Sequence, residues 1–365
     1  MNAAHPLRGP NRFKLGVFSA NADGGLALTT VPERWAARWD DIVAAARIAD
    51  HAGLELFLPI ARWKGFGGAT QAREWSFETF TFAAALAGAT ERIALFSTVH
   101  VPLVHPVFAA KAMATVDHAS HGRAGLNIVC GWNPDELGMF GEKVNEDRYG
   151  QGEEWWQIVR RIHAGEAPFD FEGRYYSLRR VAGQPRPLQQ RVVTVNAAFG
   201  AEGRDFAARN CDFLLTVFAD LDSAPRHVGD IRARAAQAGR EVGVLATCHV
   251  VCRPTQAEAE DYYRRYALEC ADHAAVDYHV AQKKEFATSH DDRTYTLYRQ
   301  RFAGGAGTYP LVGTPQRIAD EIGRIYACGY AGAALSFVDY VNDVEDFCRQ
   351  VLPMLEDAGL RERRA

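Results

Sequence analysis

Short apolar runs recur along the chain, separated by longer segments in which apolar residues return at helical spacing. The runs are rich in Val, Ile, Leu and Phe, so each predicts a buried β-strand. The predicted strands are Phe13–Phe18, Leu54–Pro59, Ile93–Thr98, Ala124–Val129, Val192–Asn196, Asp212–Thr216, Val242–Cys252 and Ala331–Phe337. Helices are predicted at Trp35–His51, Glu78–Ala87, Pro106–Ser120 and Val341–Leu355, with others beginning near Gln151 and at Thr314–Pro315. Alternation repeated about eight times predicts an α/β protein, a (β/α)8 TIM barrel with insertions.

Two segments depart from this alternation. Phe169–Leu178 alternates apolar and polar residues and predicts a surface hairpin or an extended arm. Residues 272–309 carry many charges without a clear strand pattern, so we expect a helical insertion followed by a mobile loop that ends at Gly304–Thr308 and acts as a lid. The expected domain bounds are a disordered tail at 1–11, a single barrel at 12–358 and a C-terminal tail at 359–365.

The composition of the chain bears on its partners and on the compartment in which it works. Lys and Arg number 41 against 45 Asp and Glu, a net charge of −4, so we expect no nucleic-acid or membrane partner. No apolar run reaches the ~20 residues of a membrane helix. The first eleven residues lack the apolar centre of a signal peptide, and we therefore expect a cytoplasmic protein. The seven cysteines form no CxxC pair, which favours reduced structural thiols.

Polar residues gather after the fourth predicted strand, in the stretch from Arg123 to Gly141. Asn127 interrupts an apolar strand, and a buried amide needs hydrogen-bond partners. Glu136 follows nine residues later, and Arg148–Tyr149 close the segment. Because barrel enzymes place their sites at the carboxyl ends of the strands, this cluster suits a heteroaromatic ligand with a phosphate tail. A satisfied core amide is the alternative interpretation of Asn127 taken alone.

Two further turns could contact an anion. After the second predicted strand, Arg62 and Lys64 stand among three glycines that permit close backbone approach. The fifth predicted strand runs into a small-residue turn at 197–200 and then a helix, a setting in which free N–H groups hold a phosphate. A plain strand–helix turn is equally compatible with that pattern. His100 and His105 lack HxH or HExxH spacing, so no metal site is expected.

The run from Asn127 to Trp132 (NIVCGW), Glu136 and the triplet Asp147-Arg148-Tyr149 together resemble the bacterial-luciferase-like flavin monooxygenases. That family includes the pyrimidine oxygenases of uracil degradation and the dimethyl sulfone and alkanesulfonate monooxygenases. The resemblance extends from about Arg12 to Leu355. It implies the barrel fold, reduced FMN (FMNH2) as cofactor and dioxygen (O2) as cosubstrate.

Position by position, the resemblance implies two sets of site residues. The residues implied to bind the flavin are Ala61, Arg62, Asn127, Glu136, Arg148, Tyr149 and Gly200. Gly200 stands where the family has a serine, so only a backbone N–H remains there for the phosphate. The residues implied to line an oxygen pocket are Leu58, Thr98, Asn127 and Val129. As catalytic residues, Thr98 and Asn127 would stabilise the negative charge that develops as dioxygen is reduced.

The resemblance also bears on the substrate. His249 matches a histidine of the alkanesulfonate monooxygenases and is a candidate acid, base or hydrogen-bond donor, with a core histidine as an equal alternative. Two arginines of those enzymes are replaced by Thr247 and Ala303, which removes bidentate donors for a sulfonate. We therefore expect a neutral or heteroaromatic substrate such as a cyclic amide, for example a pyrimidine. Sulfones and related organosulfur compounds remain the alternative.

The chain lacks a dinucleotide-binding glycine motif. We therefore expect a two-component system in which a separate NAD(P)H-dependent flavin reductase delivers reduced FMN. The resemblance implies a homodimer or homotetramer. A second hypothesis is an F420-dependent oxidoreductase of the same barrel family, which transfers hydride without dioxygen; the match to the oxygen pocket argues against it. A noncatalytic or metal-hydrolase barrel is a third, for which the sequence offers no coherent ligand set.

Overall fold

The computed structural model describes residues 5–286 and 301–363. Its strands, numbered in chain order, are β1 Lys14–Phe18, β2 Leu56–Leu58, β3 Ala94–His100, β4 Ala124–Val129, β5 Phe169–Glu172, β6 Ser177–Val181, β7 Val193–Ala197, β8 Phe213–Thr216, β9 Gly243–Cys252, β10 Tyr309–Gly313 and β11 Gly332–Ser336. The helices of three residues or more within the described ranges include Trp39–Ala52, Thr79–Ala87, Pro106–Ala119, Pro134–Met139, Arg148–Ala164, Ala201–Asn210, Ala224–Gln237, Gln256–Arg264, His273–Phe286, Pro315–Ala327, Asn342–Gln350 and Leu352–Asp357.

Eight parallel strands form a closed barrel in the order β1, β2, β3, β4, β7, β8, β9, β11, with β11 returning to β1. The predicted (β/α)8 TIM barrel is therefore confirmed. Strands β5 and β6 form the antiparallel hairpin that the alternating pattern predicted. Strand β4 occupies the predicted residues, because its apolar run is bounded by polar residues on both sides.

Apolar side chains fill the amino-terminal half of the barrel interior. They include Leu56, Phe96, Val195 and Leu245 from four different strands. Gly125 permits this packing, since a Cβ atom at that position would overlap the ring of Phe96. The polar side chains that point into the barrel lie further along the strands, towards their carboxyl ends. Because apolar side chains fill the amino-terminal half of the barrel interior, the carboxyl-terminal half is left to form a site.

The insertion differs in part from its prediction. Residues His273–Phe286 and 301–305 are helical, as predicted. Residues Tyr309–Gly313, however, form β10, which pairs in parallel with the carboxyl-terminal half of β9, Cys248–Cys252. The pattern missed this strand because Pro310 interrupts it, and proline is tolerated in an edge strand. Much of the predicted lid, at residues 287–300, lies outside the described residues.

The described residues near each end of the chain, 5–11 and 359–363, include side chains that are buried against the barrel. Residues 6–8 form a short helical turn, and Leu7 inserts into the apolar interior at the amino end of the barrel. Arg361 is buried and bonded to Glu55, so the barrel extends past residue 358. The expectation of a disordered segment over 5–11 is therefore wrong, because Leu7 buries apolar surface there. Residues 1–4 and 364–365 are outside the described part.

Two helices also differ from the sequence pattern. The last predicted helix is split, since Pro353 cannot continue the first piece and instead begins the second. Residues Pro134–Met139 form a short helix that the sequence pattern did not predict; the Asn133 side chain caps it by accepting a hydrogen bond from the Asp135 N–H at 3.1 Å. Among the described residues, no helix is both long enough and apolar enough to span a membrane.

Candidate active site

Glu136 joins the loop after β2 to the loop after β4. Its short helix turns the side chain inward, where it is fully buried. Glu136 Oε1 accepts hydrogen bonds from Arg62 Nη1 at 3.0 Å and from the Trp63 N–H at 2.9 Å. This ion pair places two residues that are 74 positions apart beside one another, beyond the carboxyl ends of β2 and β4, the strands on either side of β3.

The Arg62–Glu136 pair is buried and lies beside aromatic rings. The Arg62 guanidinium lies 4.8 Å from the ring centre of Phe66 and 5.5 Å from that of Trp132. Burial lowers the pKa of Arg62, and the Glu136 carboxylate opposes that shift. His100 Nδ1 lies 3.9 Å from Glu136 Oε2, but burial lowers the pKa of His100 to about 4. His100 is therefore neutral near pH 7, and its contact with Glu136 is not an ion pair.

Thr98 and Asn127 face each other across β3 and β4. Asn127 Nδ2 donates to Thr98 Oγ1 at 3.2 Å, and Thr98 Oγ1 donates to the carbonyl oxygen of Pro59 at 2.5 Å. The single hydroxyl hydrogen of Thr98 is thus already committed to Pro59. In this arrangement Thr98 orients the Asn127 amide, and the amide keeps its second hydrogen and its oxygen for another group.

Several buried polar atoms in this region have no hydrogen-bond partner among the described residues. They are Asn127 Oδ1, Glu136 Oε2 and Arg62 Nε. A buried polar atom without a partner costs about 1–3 kcal/mol. Three such atoms at the mouth of one barrel indicate a site whose hydrogen bonds are completed by a ligand.

Arg148 and Tyr149 lie beside the helix Ala201–Asn210. Arg148 Nη1 donates to the carbonyl of Gly131 at 3.3 Å, and its guanidinium lies 5.2 Å from the Tyr149 ring centre. Tyr149 packs on Phe206, and a Cβ atom at Gly203 would lie 2.5 Å from the Tyr149 hydroxyl. The hydroxyl therefore reaches the first turn of that helix.

Gly200 is the N-cap of the same helix and gives it no side-chain cap within the described structure. The N–H groups of the first turn are consequently left for another acceptor. A helix of ten residues with an uncapped N-terminus, an arginine and a tyrosine hydroxyl nearby has the donors that an anion requires. The predicted residue Tyr149 thus reaches the first turn of the helix that Gly200 caps, and the Arg148 guanidinium lies 5.2 Å from the Tyr149 ring centre.

His249 lies on β9 and points into the barrel. Thr308 Oγ1 donates to the Gly305 carbonyl at 2.8 Å, so the 2.9 Å contact between His249 Nδ1 and Thr308 Oγ1 must be donated by the histidine. Burial lowers the pKa of His249 to about 3. The ring is therefore neutral with its proton on Nδ1, and Nε2, which has no described partner, carries a lone pair. Such a ring can accept a hydrogen bond but is not an acid near pH 7.

The remaining predicted residues have different surroundings. Ala61, Arg62 and Thr98 line a small cavity of about 20 Å³ together with His100, which is enough for about one water-sized molecule. Leu58 belongs to the apolar interior of the barrel, and Val129 is paired with His100 in the strand register. These residues do not share one cavity, although Thr98 and Asn127 are in contact.

A larger cavity of about 260 Å³ opens beside this cluster. Its walls include Arg62, Trp132, Phe199 and Thr247, and also Arg73, which the sequence analysis did not single out. Arg73 follows a loop without regular periodicity, so no pattern marked it. Within the described ranges, no group of His, Cys, Asp and Glu could hold a metal ion.

Comparison with known proteins places this site in a family. A model of the luciferase-like monooxygenases matches residues 13–331. This chain belongs to the luciferase-like monooxygenase family. The family's members are flavin-dependent oxidoreductases, so the expected family, fold and class of enzyme are confirmed.

Two curated members of the luciferase-like monooxygenase family are similar over nearly the whole chain. The pyrimidine monooxygenase RutA of Acinetobacter baylyi (strain ATCC 33305 / BD413 / ADP1) is 29% identical, covering 94% of this chain and 95% of its own. The FMNH2-dependent dimethylsulfone monooxygenase of Pseudomonas putida is 28% identical, covering 97% and 98%. The two relatives act on different substrates by name, so they do not decide between a pyrimidine and a sulfone.

Solved structures share the fold of this luciferase-like monooxygenase. The riboflavin lyase RcaE, solved with modified FMN and its substrate riboflavin, superposes with a TM-score of 0.83 at 24% identity, covering 96% of this chain and 92% of its own. An F420-dependent secondary alcohol dehydrogenase superposes with a TM-score of 0.68 at 18% identity, covering 94% and 99%. Both likenesses concern the fold alone.

Proposed function

We propose that this enzyme is a two-component monooxygenase that binds reduced FMN at the carboxyl ends of the barrel strands and uses dioxygen to oxygenate a small organic substrate. The observation that carries the proposal is the buried cluster of Arg62, Thr98, Asn127 and Glu136, in which three polar atoms lack partners. The similarity to a curated FMNH2-dependent monooxygenase supports this choice of cofactor.

The donors and acceptors of the site fit a flavin. The edge of a flavin ring offers N–H donors and carbonyl acceptors, which match Asn127 Oδ1 and Arg62 Nε respectively. The uncapped helix at Gly200, with Arg148 and Tyr149, would hold the phosphate. The serine hydroxyl of the family is absent at Gly200, so the backbone N–H groups would carry that contact.

The residues of the chain then have separable tasks. Burial of the Arg62–Glu136 pair and the aromatic rings of Phe66 and Trp132 would exclude water from the reacting centre. Thr98 would hold the Asn127 amide so that its free hydrogen faces developing negative charge. Bound reduced flavin supplies the electrons that dioxygen needs before it can react with a closed-shell substrate.

The partner and assembly are part of the proposal. Because the chain has no dinucleotide fingerprint, a separate NAD(P)H-dependent reductase would supply the reduced flavin. A homodimer or homotetramer is supported by exposed aromatic side chains, since Trp75 is 65% and Phe108 62% exposed on the single chain. Light scattering of the purified protein tests the assembly, and a monomer at micromolar concentration would contradict it.

For the substrate, we propose a cyclic amide such as a pyrimidine. The absence of arginine at Thr247, which lines the large cavity, supports this class over a sulfonate. Sulfones are the second candidate, because the sulfone monooxygenase of Pseudomonas putida is nearly as similar as the pyrimidine monooxygenase. His249 would act as a hydrogen-bond acceptor through Nε2, since it is neutral and donates through Nδ1.

An anaerobic titration tests the cofactor directly. Reduced FMN and reduced F420 are each added to the protein, and binding is followed by the quenching of tryptophan fluorescence, to which Trp132 in the cavity should contribute. We expect FMN to bind and F420 to bind weakly or not at all. Admitting 18O2 in the presence of uracil or dimethyl sulfone, followed by mass spectrometry, then identifies an oxygenated product. No quenching by FMN at high micromolar concentration, or tighter binding of F420, would overturn the proposal.

A further inference from the structure

Arg73 is a second buried cation at the mouth of the barrel, with a side chain held by the main chain. The residue is only 3% exposed. Its Nε donates to the Gly25 carbonyl at 2.9 Å and its Nη2 to the Leu26 carbonyl at 3.3 Å. The guanidinium lies 5.0 Å from the ring centre of Phe66. These contacts fix the guanidinium and leave Nη1 without an acceptor among the described residues.

The charge of Arg73 is not balanced by a carboxylate of its own. The nearby acids already have partners: Asp23 pairs with Arg34 at 3.1 Å, and Glu136 pairs with Arg62 at 3.0 Å. Arg73 makes no ion pair within the described part of the chain. Burial and the neighbouring Arg62 lower the pKa of Arg73 to about 9, so it remains charged at neutral pH. A buried, unpaired charge is costly unless a counter-charge arrives from outside.

The large cavity gives that counter-charge a place to bind. Arg73 lines the cavity of about 260 Å³, whose other walls are mainly apolar and aromatic, including Ile60, Trp132 and Phe199. The volume suits a small organic molecule more than a large ligand. An occupant with one anionic oxygen and an apolar or flat body would satisfy both Arg73 and these walls.

We propose that Arg73 binds an anionic oxygen of the substrate, such as that of a carboxylate or of the conjugate base of an acidic heterocyclic amide. Because Nε is taken by the Gly25 carbonyl, the guanidinium presents its Nη1 edge to that oxygen. The cavity therefore has a cation of its own, although Thr247 and Ala303 are not arginines. That the occupant is a substrate rests on the proposed function; the anion preference does not.

Benzoate and benzamide test this preference, because they are alike in size and differ in charge. Calorimetric titrations at pH 7.5 use the full chain, with and without bound FMN. We expect benzoate to bind wild type roughly tenfold more tightly than benzamide, and Arg73→Gln to abolish that difference. Arg209→Gln is the matched control: it removes an exposed guanidinium that pairs with Glu153 at 2.9 Å, and the preference should stay.

Arg73→Lys keeps the inference testable if Arg73→Gln does not fold, as judged by its melting temperature and circular dichroism. The lysine retains the charge but not the fork that holds both carbonyls, so an intermediate preference is expected. Equal binding of the two probes, an unchanged preference in Arg73→Gln, no benzoate binding up to about 10 mM, or displacement of FMN by benzoate would each overturn it. Failure of FMN to bind would instead sink the proposed function and leave the preference in flavin-free protein standing.

Discussion

Two buried arginine–glutamate pairs lie at opposite ends of the barrel, and they differ in how completely their hydrogen bonds are made. At the amino end, Arg361 donates to Glu55 at 2.8 Å and also to the carbonyls of Phe13 and Gly53. Glu55 accepts a further hydrogen bond from the Leu15 N–H at 2.7 Å. This pair ties the C-terminal residues to the start of the first two strands.

At the carboxyl end, Arg62 and Glu136 meet at the similar distance of 3.0 Å, but their polar atoms are not all used. Arg62 Nε and Glu136 Oε2 lack partners in the described structure, as does Asn127 Oδ1 nearby. Since native proteins satisfy most buried polar atoms, we expect the amino-end pair to stabilise the fold and the carboxyl-end pair to bind a ligand.

Breaking the amino-end pair should have the largest effect on stability. Glu55→Ala would leave the buried Arg361 charge without a carboxylate partner and the Leu15 N–H without an acceptor, so we expect the free energy of unfolding to fall by about 3–5 kcal/mol. Urea denaturation followed by circular dichroism measures it. FMN affinity of the folded variant should match wild type, because the site is at the other end. A loss below about 1 kcal/mol would show that this pair does not hold the chain end.

Replacing the carboxyl-end pair should weaken FMN binding and change stability little, the reverse of the effect expected at the amino end. The double variant Arg62→Met with Glu136→Leu removes both charges and two unsatisfied atoms, so the free energy of unfolding should change by less than about 2 kcal/mol. FMN binding should weaken by about 2–4 kcal/mol through the lost charge-assisted hydrogen bonds.

The matched control for that double variant is Glu55→Leu with Arg361→Met, which makes the same chemical change at the amino end. Fluorescence titration should find its FMN affinity unaltered. If the two double variants bound FMN equally well, the division between a structural and a ligand-binding pair would not hold.

Arg148→Ala sharpens the comparison at the edge of the site. Arg148 makes one described hydrogen bond, to the Gly131 carbonyl, so its removal should cost the fold little. A charge-assisted contact to the FMN phosphate would make FMN binding weaker by roughly 1–3 kcal/mol. Arg209→Ala, on the exposed end of the neighbouring helix, is the control and should leave FMN affinity unchanged. Unchanged affinity in Arg148→Ala would remove this residue from the phosphate site.

Most of the fold could be predicted from the sequence, because the barrel strands are buried on both faces and are therefore recognisable as apolar runs. Strand β10 was not predicted, because Pro310 interrupts its apolar pattern and because it pairs with β9 outside the closed barrel. The sequence indicated that Arg62 and Glu136 lie at the same end of the barrel, because parallel strands end at one edge of the sheet. It did not predict the hydrogen bond between them, because residues 74 positions apart leave no local pattern.

The same physical reason explains the residues that were missed. Arg361 and Glu55 are 306 positions apart, so the pattern assigned the C-terminal residues to a tail. Arg73 lies in an irregular loop, and its side chain is held by hydrogen bonds to two carbonyls of another loop. Charge pairing between distant segments is a property of the folded chain, so a local sequence pattern does not predict it.

Thr98 offers the finest test, because it bears on a single hydrogen bond within the carboxyl-end cluster. Its hydroxyl donates to the Pro59 carbonyl and accepts from Asn127, so it acts by orienting the amide and not by donating to oxygen itself. In Thr98→Val the amide loses its acceptor and can turn away from developing negative charge.

We expect Thr98→Val to slow oxygen-dependent turnover about tenfold, or about 1.4 kcal/mol, as a fall in kcat with little change in KM. FMN affinity should stay nearly unchanged, since no flavin contact is removed, and a thermal melt should exclude a folding defect. Thr98→Ser keeps the hydroxyl and should recover most of the rate, which a defect of packing would not allow. A folded Thr98→Val enzyme that turns over at the wild-type rate, or a serine variant as slow as the valine one, would show that the orientation of Asn127 does not depend on this hydroxyl.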